Sequence, residues 1–311
     1  MFEKAIELIR NFHTVIIHRH ANPDGDAIGA QTGLWFFIRA NFPEKQVFCV
    51  GDDPKRYSFM DHSAPDSIPD VIYSDALAVI LDSSSAELIS DMRWKSAKCT
   101  LRIDHHVMLA QIAEYEIVDP AYESCCGMIA DMIRESGLKL TPECAKALYT
   151  GLVTDSGRFL YDSTTSATFK RAAYLTSAGF SRESIFKNLY SNDFKNLRAR
   201  AQFILNIKFT MHNVAYVYTT LEEFPTYGLD AFSVSRGMVN TMSDIRGVEI
   251  WANFTETESG IWCEIRSSGK NVCPVAVKYG GGGHAKACGA TLPDRETAMK
   301  LLAELDEMCG E

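Results

Sequence analysis

The sequence predicts an α/β fold, in which a mainly parallel sheet flanked by helices is followed by a smaller α+β C-terminal domain. Two observations lead to this prediction. In the first 190 residues, short apolar runs rich in β-branched side chains alternate with longer segments of helical periodicity, as in parallel sheets covered on both faces. Beyond residue 205, apolar and polar residues alternate, which is typical of half-exposed strands. A chain of 311 residues is long enough for two such domains.

The elements of the first part can be placed from these runs. Buried strands are predicted at Thr14–His18, Gln46–Val50, Leu77–Leu81 and Cys99–Ile103. Helices are predicted in the N-terminal segment and at Ala27–Ala40, Ser124–Ser136, Pro142–Val153, Ser166–Ala178 and Arg182–Leu189. In sheets of this kind, functional groups gather beyond the carboxyl ends of the strands.

The second part differs in pattern. Residues 191–204 are polar and basic, which predicts a linker between a domain at 1–190 and a domain at 205–311. Strands are predicted at Asn213–Thr220, Val248–Thr255 and Ile261–Arg266, and helices at Phe232–Met242 and Arg295–Met308.

Composition and charge exclude several classes of protein. Hydrophobic residues make up 46% of the chain, yet no apolar run reaches the roughly 20 residues of a membrane span. The N-terminal segment is acidic and amphipathic rather than a signal peptide, so we expect a cytoplasmic protein without a membrane partner. The net charge of −9 disfavours binding along duplex nucleic acid, so any nucleic-acid substrate should be short and bound locally. The nine cysteines lack C-x-x-C spacing and are predicted to be small core residues.

The first candidate site segment directly follows the strand predicted at Thr14–His18. It contains His20, Asp24 and Asp26 around a tight Pro-Asp-Gly turn, which can direct the three side chains into one small volume. The alternative is that the aspartates only cap the helix starting near Ala27. A cap needs one aspartate, however, and does not need the histidine.

Two further aspartates also follow apolar runs. Asp82 ends the third predicted strand, where an ordinary turn aspartate is the alternative. Asp155 follows an apolar helix, where a C-cap ending at Gly157 is the alternative. An aspartate at that end opposes the helix dipole, which favours a functional role.

The triplet Asp104-His105-His106 ends the fourth predicted strand. Consecutive histidines at a strand end are an uncommon packing choice, which favours a functional site. Carboxylates that converge at one sheet edge repel each other strongly unless cations neutralise them. Aspartate and imidazole ligands without thiolates suit Mn²⁺, Mg²⁺ or Co²⁺ better than structural zinc. Two such ions form the usual clamp for displacement at phosphorus.

The order of these four motifs resembles that of the DHH phosphoesterase family, which is named for the triplet found here at 104–106. The resemblance implies two metal positions that share one bridging aspartate. It also implies that His106 faces the scissile phosphate and that Asp104, counted with it as catalytic, supports the ligands. The implied ligands are His20, Asp24 and Asp82 for one ion, and Asp26, Asp82, His105 and Asp155 for the other.

The second part resembles the DHH-associated C-terminal domain. Arg266 and Ser267 end a predicted strand, and the glycine-rich sequence GGGGHAKACG follows them. Glycines let a backbone approach phosphate oxygens, and free N–H groups can form an anion nest. The resemblance implies that the substrate is bound by Arg266, Ser267, Gly281, Gly282, Gly283 and His284.

The two-domain length resembles the form of the family that degrades nano-RNA and removes the 3′-phosphate from 3′-phosphoadenosine 5′-phosphate. The implied function is manganese-dependent hydrolysis of short single-stranded RNA or DNA to nucleoside 5′-monophosphates. A soluble hydrolase of linear or cyclic dinucleotides is the first alternative, and a nucleotide-binding regulator with an inactive metal site is the second. A family II pyrophosphatase shares the first four motifs but lacks the glycine-histidine sequence. The sequence leaves the oligomeric state open, a homodimer included.

Overall fold

The chain divides into two compact units, Met1–Ser191 and Asn192–Glu311, and the computed structural model describes residues 1–310 of it. The first unit is built around a five-stranded sheet in which every neighbouring pair is parallel. This confirms the predicted fold class. The strands are β1 (Thr14–His18), β2 (Gln46–Val50), β3 (Leu77–Leu81), β4 (Cys99–Asp104) and β5 (Tyr115–Val118).

The strand order is β2-β1-β3-β4-β5. Strand β2 is added on one side of β1, and β3, β4 and β5 are then added in turn on the other side. Such a reversal leaves a crevice at the carboxyl ends of the two strands concerned, here β1 and β3. All five residues of β3 are buried because helices and loops cover both faces of the sheet. The fifth strand was not predicted, because Tyr115–Val118 is a short edge strand with only one buried residue.

Six helices belong to the first unit, and polar side chains begin several of them. Thr141 caps the fourth helix and Ser124 the third, by accepting hydrogen bonds from backbone amides of the first turn. The second and fourth helices pack closely because Gly29 faces the carbonyl of Ala147, which a Cβ would approach to 2.7 Å. The helices are α1 (Glu3–Asn11), α2 (Gly25–Asn41), α3 (Cys125–Ser136), α4 (Pro142–Asp155), α5 (Ser166–Thr176) and α6 (Arg182–Tyr190).

The second unit contains a six-stranded mixed sheet, whose strands are β6 (Lys208–Phe209), β7 (Ala215–Thr219), β8 (Ile250–Thr257), β9 (Gly260–Ser267), β10 (Gly282–His284) and β11 (Ala287–Leu292). Their order in the sheet is β10-β11-β9-β8-β7-β6. The helices are α7 (Phe194–Leu205), α8 (Ala231–Ser235), α9 (Cys273–Lys278) and α10 (Arg295–Gly310). One apolar cluster packs α10 against one face of the sheet, and a separate cluster lies on the other face.

Two segments of the second unit differ from their predicted form. Most of the segment 191–204, predicted as a linker, is helix α7. The helix predicted at Phe232–Met242 is divided into α8 and a 3₁₀ turn at Val239–Met242. In the glycine sequence, for which no helix or strand was predicted, Gly282–His284 forms edge strand β10.

Among residues 1–310, no helix has both the length and the hydrophobicity that crossing a bilayer would need. The cysteines are free, and seven of the nine are buried, which agrees with the prediction that they are core residues.

Candidate metal centre

The predicted metal ligands of the first unit converge at the carboxyl edge of its sheet. His20 follows β1, Asp82 follows β3, and His105 follows β4, and these three strands are neighbours. Asp24 and Asp26 lie at the start of α2, and Asp155 is the last residue of α4. A cavity of about 210 Å³ is lined by His20, Asp24, Asp82, Ser84, Leu88, His105, His106 and Asp155.

One group of donor atoms consists of His20, Asp24 and Asp82. The Nε2 atom of His20 lies 3.8 Å from Oδ1 of Asp24 and 3.7 Å from Oδ2 of Asp82. Each residue can offer one donor atom such that all three lie within 4.8 Å of one another. Ligands about 2.1 Å from a shared ion are about 3 Å or more apart, so this group has the size of a metal site.

A second group of donor atoms surrounds His105. Its Nε2 atom lies 3.4 Å from Oδ2 of Asp155, 3.4 Å from Oδ1 of Asp82 and 3.9 Å from Oδ2 of Asp26. The donors of Asp26, His105 and Asp155 also lie within 4.8 Å of one another. Asp82 therefore lies between the two groups and presents a different oxygen to each.

Asp82 is held in an unusual backbone conformation at this position. Its φ is 52°, in the left-handed region that non-glycine residues rarely adopt. The side chain is 2% exposed, and its Oδ1 atom has no hydrogen-bond partner among the residues that the structure describes. A buried carboxylate oxygen without a donor is costly, and a cation would satisfy it.

The two histidine rings are oriented for metal binding by their other nitrogen. Nδ1 of His20 lies 2.8 Å from the carbonyl oxygen of Ala21, and Nδ1 of His105 lies 3.4 Å from that of Tyr122. When Nδ1 donates to these carbonyls in the neutral ring, the lone pair of Nε2 is left to bind a metal ion. Histidine ligands are oriented in the same way in known metal sites.

The aspartates of α2 have a structural task as well. Oδ1 of Asp24 accepts hydrogen bonds from the backbone amides of Asp26 and Ala27, so Asp24 does cap the helix. These hydrogen bonds do not use the other carboxylate oxygen, Oδ2. Asp26 accepts the backbone amides of Cys125 and Cys126 at 2.7 and 3.0 Å, which binds it to the first turn of α3. The cap and the candidate ligand are therefore compatible in this turn.

The pKa values of the site reflect concentrated negative charge. Burial and the charges of Asp82 and Asp155 raise the pKa of Asp26 well above its usual range, and burial raises the pKa of Asp155 to about 6. Burial lowers the pKa of both rings, but neighbouring carboxylates outweigh it and raise the pKa of His20 to about 9 and that of His105 to about 10. The donor set thus favours added positive charge and fits divalent cations.

His106 is paired with Asp104 and also lies near the donor groups, since its Nδ1 is 3.7 Å from Oδ1 of Asp82 and it can offer a donor atom within 4.8 Å of those of Asp82 and His105. Nδ1 of His106 lies 2.7 Å from Oδ1 of Asp104, while the His106 side chain is 45% exposed and lines the cavity. Asp104 is fully buried and does not line the cavity. Burial raises its pKa, but hydrogen bonds from His106 and Arg102 outweigh this and hold the pKa at about 2. Asp104 is therefore placed to orient His106 rather than to contact substrate.

In the second unit, a cavity of about 650 Å³ brings together most of the predicted substrate-binding residues, namely Arg266, Gly281, Gly282, Gly283 and His284. Nη2 of Arg266 donates to Glu264 at 3.0 Å. The amide of Gly281 donates to the carbonyl of Ala276, so the expected free amide is absent at that residue. Ser267 does not line this cavity; its hydroxyl donates to the carbonyl of Lys270.

Sequence reasoning missed residues of both units. Arg236, Trp262 and Glu264 line the cavity of the second unit. In the first unit it overlooked Arg102, which precedes Asp104 by two residues in β4. The period-two alternation of strands could have indicated that Arg102 and Asp104 share one face, and that Trp262 and Glu264 share a face with Arg266.

Comparison with known proteins agrees with this geometry. Residues 14–152 match the DHH family, N-terminal domain, and residues 214–311 match the DHHA1 domain. The chain is 33% identical over 311 residues to the bifunctional oligoribonuclease and PAP phosphatase NrnA of Bacillus subtilis, with 98% of each chain covered. The protein of the same name from Mycoplasma genitalium is 32% identical over 306 residues, which cover 97% of this chain and 95% of that protein.

A solved structure is similar over the same extent. An exopolyphosphatase-related protein from Bacteroides fragilis superposes with a TM-score of 0.83 at 25% identity, covering 100% of this chain and 97% of that chain. Since both domains and the whole length match in order, the chain belongs to the DHH phosphoesterase family and is a hydrolytic enzyme with a C-terminal DHHA1 domain.

Proposed function

We propose that the protein is a two-metal phosphoesterase that hydrolyses short single-stranded oligonucleotides to nucleoside 5′-monophosphates and also removes the 3′-phosphate from 3′-phosphoadenosine 5′-phosphate. The observation that carries the proposal is the pair of donor groups that share Asp82. The full-length similarity to proteins named oligoribonuclease and PAP phosphatase supports the substrate class. Since short RNA fragments arise in the cytoplasm, we propose that the enzyme works there.

Two divalent cations, Mn²⁺ before Mg²⁺ or Co²⁺, are the proposed cofactors. His20, Asp24 and Asp82 would hold one of them, and the group around His105 would hold the other. When bound, such ions neutralise the carboxylates, polarise a phosphate oxygen and activate water for attack at phosphorus. The oxygen-rich donor set without thiolates supports this choice of metal.

The chain's own contribution to the reaction centres on His106. Its exposed ring lines the cavity beside Asp82, and Asp104 accepts a hydrogen bond from its Nδ1. This leaves Nε2 of the ring without a partner in this pair and available to a substrate. We propose that this nitrogen donates a hydrogen bond to the phosphate whose ester bond is broken. A charged donor fixed in this way stabilises negative charge that develops on phosphate oxygens.

The C-terminal unit is proposed to bind a phosphate that is not cleaved. Arg266 and His284 line one cavity together with Gly281–Gly283, where glycines leave room for a phosphate. The net charge of −9 disfavours a long or duplex nucleic acid and supports a short strand. Ser267 is not proposed to contact the phosphate, because its hydroxyl donates to the carbonyl of Lys270. We propose instead that it supports the position of the neighbouring Arg266.

The function is tested by comparing substrates under one condition. The purified protein is assayed with Mn²⁺ on RNA of two to five nucleotides, a 20-nucleotide RNA, cyclic dinucleotides, 3′-phosphoadenosine 5′-phosphate and pyrophosphate. We expect the short RNAs to have the highest kcat/KM. Preference for a cyclic dinucleotide would support the alternative phosphodiesterase, and absence of turnover on every substrate would support an inactive regulator.

The role of the second unit is tested with Arg266→Ala and His284→Ala. Losing a charge-assisted hydrogen bond should weaken substrate binding by about 1.5–3 kcal/mol, which raises KM for dinucleotides about 10- to 150-fold. A small chromogenic phosphodiester without a second phosphate serves as the control, and its hydrolysis should be nearly unchanged. If both variants hydrolyse dinucleotides like the parent, the glycine sequence is only a structural element.

A further inference from the structure

Arg102 is the arginine that lies closest along the chain to the DHH triplet, and it is completely buried in β4. Burying a guanidinium costs several kcal/mol, and apolar residues of similar volume often stabilise a protein as well or better. Arg102 therefore needs an explanation other than stability alone. Its contacts suggest a functional explanation, because its hydrogen-bond partners belong to segments that surround the metal cavity.

The strongest contact of Arg102 is with the carboxylate that holds His106. Nη2 of Arg102 lies 2.5 Å from Oδ2 of Asp104, while the other oxygen, Oδ1, accepts Nδ1 of His106 at 2.7 Å. Oδ1 also lies 3.3 Å from the backbone amide of His106. The two oxygens of Asp104 are thus divided between Arg102 and His106, which fixes the rotation of the carboxylate.

The same guanidinium also contacts two loops that border the cavity. Nη2 lies 3.5 Å from the carbonyl oxygen of Ser84, which lines the cavity, and Nη1 lies 3.4 Å from that of Ala110, four residues after His106. Glu116 lies 3.7 Å from Nη1 and accepts the amides of Ile112 and Ala113. The buried guanidinium of Arg102 therefore contacts both the loop that contains Ser84 and the loop that follows His106.

We propose that Arg102 is a positioning residue for phosphoester hydrolysis, which acts by locking Asp104 and through it the direction of the His106 ring. The inference rests on the proposed role of His106 at the phosphate. Without Arg102, Oδ2 of Asp104 loses its close donor and the carboxylate is free to turn. The ring of His106 then loses its fixed direction, and small misplacements of a reacting group lower rates strongly.

A double-mutant cycle tests the path of this effect. The variants are Arg102→Met, His106→Ala and the combination of both, assayed with Mn²⁺ on a dinucleotide. We expect Arg102→Met to lower kcat about 10- to 100-fold when His106 is present and less than about threefold when it is replaced, with KM and Mn²⁺ affinity within about threefold. An equal loss in both backgrounds, or no loss in either, would overturn the proposal.

A matched control separates this effect from general damage to the fold. Arg171→Met also removes a buried arginine from the first unit, where it contacts Glu123 and Asp131 rather than Asp104. Its effect on kcat should be the same factor with and without His106. If Arg102→Met does not fold, Arg102→Lys replaces it in the cycle, since the ammonium keeps the charge but cannot span Asp104, Ser84 and Ala110 together. The same criterion then decides.

A measurement on metal-free protein keeps this inference distinct from the function proposed above. The Nδ1 proton of His106, bonded to a carboxylate, should give a downfield proton resonance that His106→Ala removes. We expect it to be sharp in the parent, weaker in Arg102→Lys and absent or broadened in Arg102→Met. An unchanged resonance in Arg102→Met would overturn the positioning role even if the parent hydrolyses every expected substrate. If His106→Ala is too slow for the double-mutant cycle to be measured, this resonance alone tests the positioning role.

Discussion

Replacing Asp82 by asparagine tests whether one side chain serves both metal positions. Its Oδ1 lies 3.4 Å from Nε2 of His105, and its Oδ2 lies 3.7 Å from Nε2 of His20. Asparagine keeps the size of the side chain but removes its charge and one acceptor. We therefore expect Asp82→Asn to lose both ions, whereas Asp155→Asn, which affects only the group around His105, should keep one.

The expected size of the effect follows from linkage. An ion present at one hundred times its Kd stabilises the folded state by about 2.7 kcal/mol, so two ions contribute about 5 kcal/mol. In a unit of this length, 1 kcal/mol shifts Tm by about 2–4 °C. Saturating Mn²⁺ should therefore raise the Tm of the parent by about 10–20 °C, that of Asp155→Asn by about half as much, and that of Asp82→Asn by less than about 3 °C.

The assay is thermal unfolding in chelated and in Mn²⁺-saturated buffer, together with calorimetric titration of the metal. Calorimetry should report two ions for the parent, one for Asp155→Asn and none for Asp82→Asn. Asp61→Asn is a suitable control, because Asp61 is exposed and pairs with Lys146 at 2.8 Å outside the site. A parent-like Tm shift in Asp82→Asn, or an equal loss in Asp155→Asn, would refute the shared-ligand reasoning.

Three further predictions concern stability. Arg171→Met should lower the free energy of unfolding by about 3–5 kcal/mol in urea titrations, because it leaves buried Glu123 without its ion-pair partner and buried Asp131 with only Arg134. Arg134→Met removes a half-exposed partner of Asp131, which keeps Arg171, and should cost less than about 1 kcal/mol. Burial lowers the pKa of His18 to about 4 from an unfolded 6.5, so the folded state binds fewer protons between these values and loses stability as the pH falls. From about pH 7 to pH 5 this loss should be about 2 kcal/mol, and a His18→Leu variant with an equally steep pH dependence would contradict it. Gly29→Ala should lower the free energy of unfolding by about 1–3 kcal/mol in the same titrations, because its Cβ would meet a backbone carbonyl of α4 at 2.7 Å. An unchanged free energy of unfolding would contradict this and would mean that α2 and α4 can move apart without cost.

Much of the first unit could be predicted because its signals are local. The buried strands are mainly apolar runs, and the residues that follow β1, β3 and β4 must emerge at one edge once the strands are parallel. The types of metal-binding side chain and their common location therefore came from the sequence. The short strand β5 did not, because its half-exposed residues resemble those of a loop.

The partners of each site residue were decided by the tertiary structure. Asp26 is bound by the amides of Cys125 and Cys126, about one hundred residues later in the chain, and no local pattern indicates this pairing. Similarly, Gly281 was expected to offer a free amide, but the fold brings the carbonyl of Ala276 to it. Ser267 was expected to contact substrate, but its hydroxyl is bonded to the turn that follows.

Arg102 shows most directly what the sequence alone determined and what it did not. Its position two residues before Asp104 determined that both side chains lie on one face of β4. Only the packed structure decided that the guanidinium is fully buried and reaches Ser84 and Ala110 on separate loops. The physical reason is that alternation along a strand depends on backbone geometry alone. The partners of a buried charge depend instead on which distant segments the completed fold brings within hydrogen-bond distance.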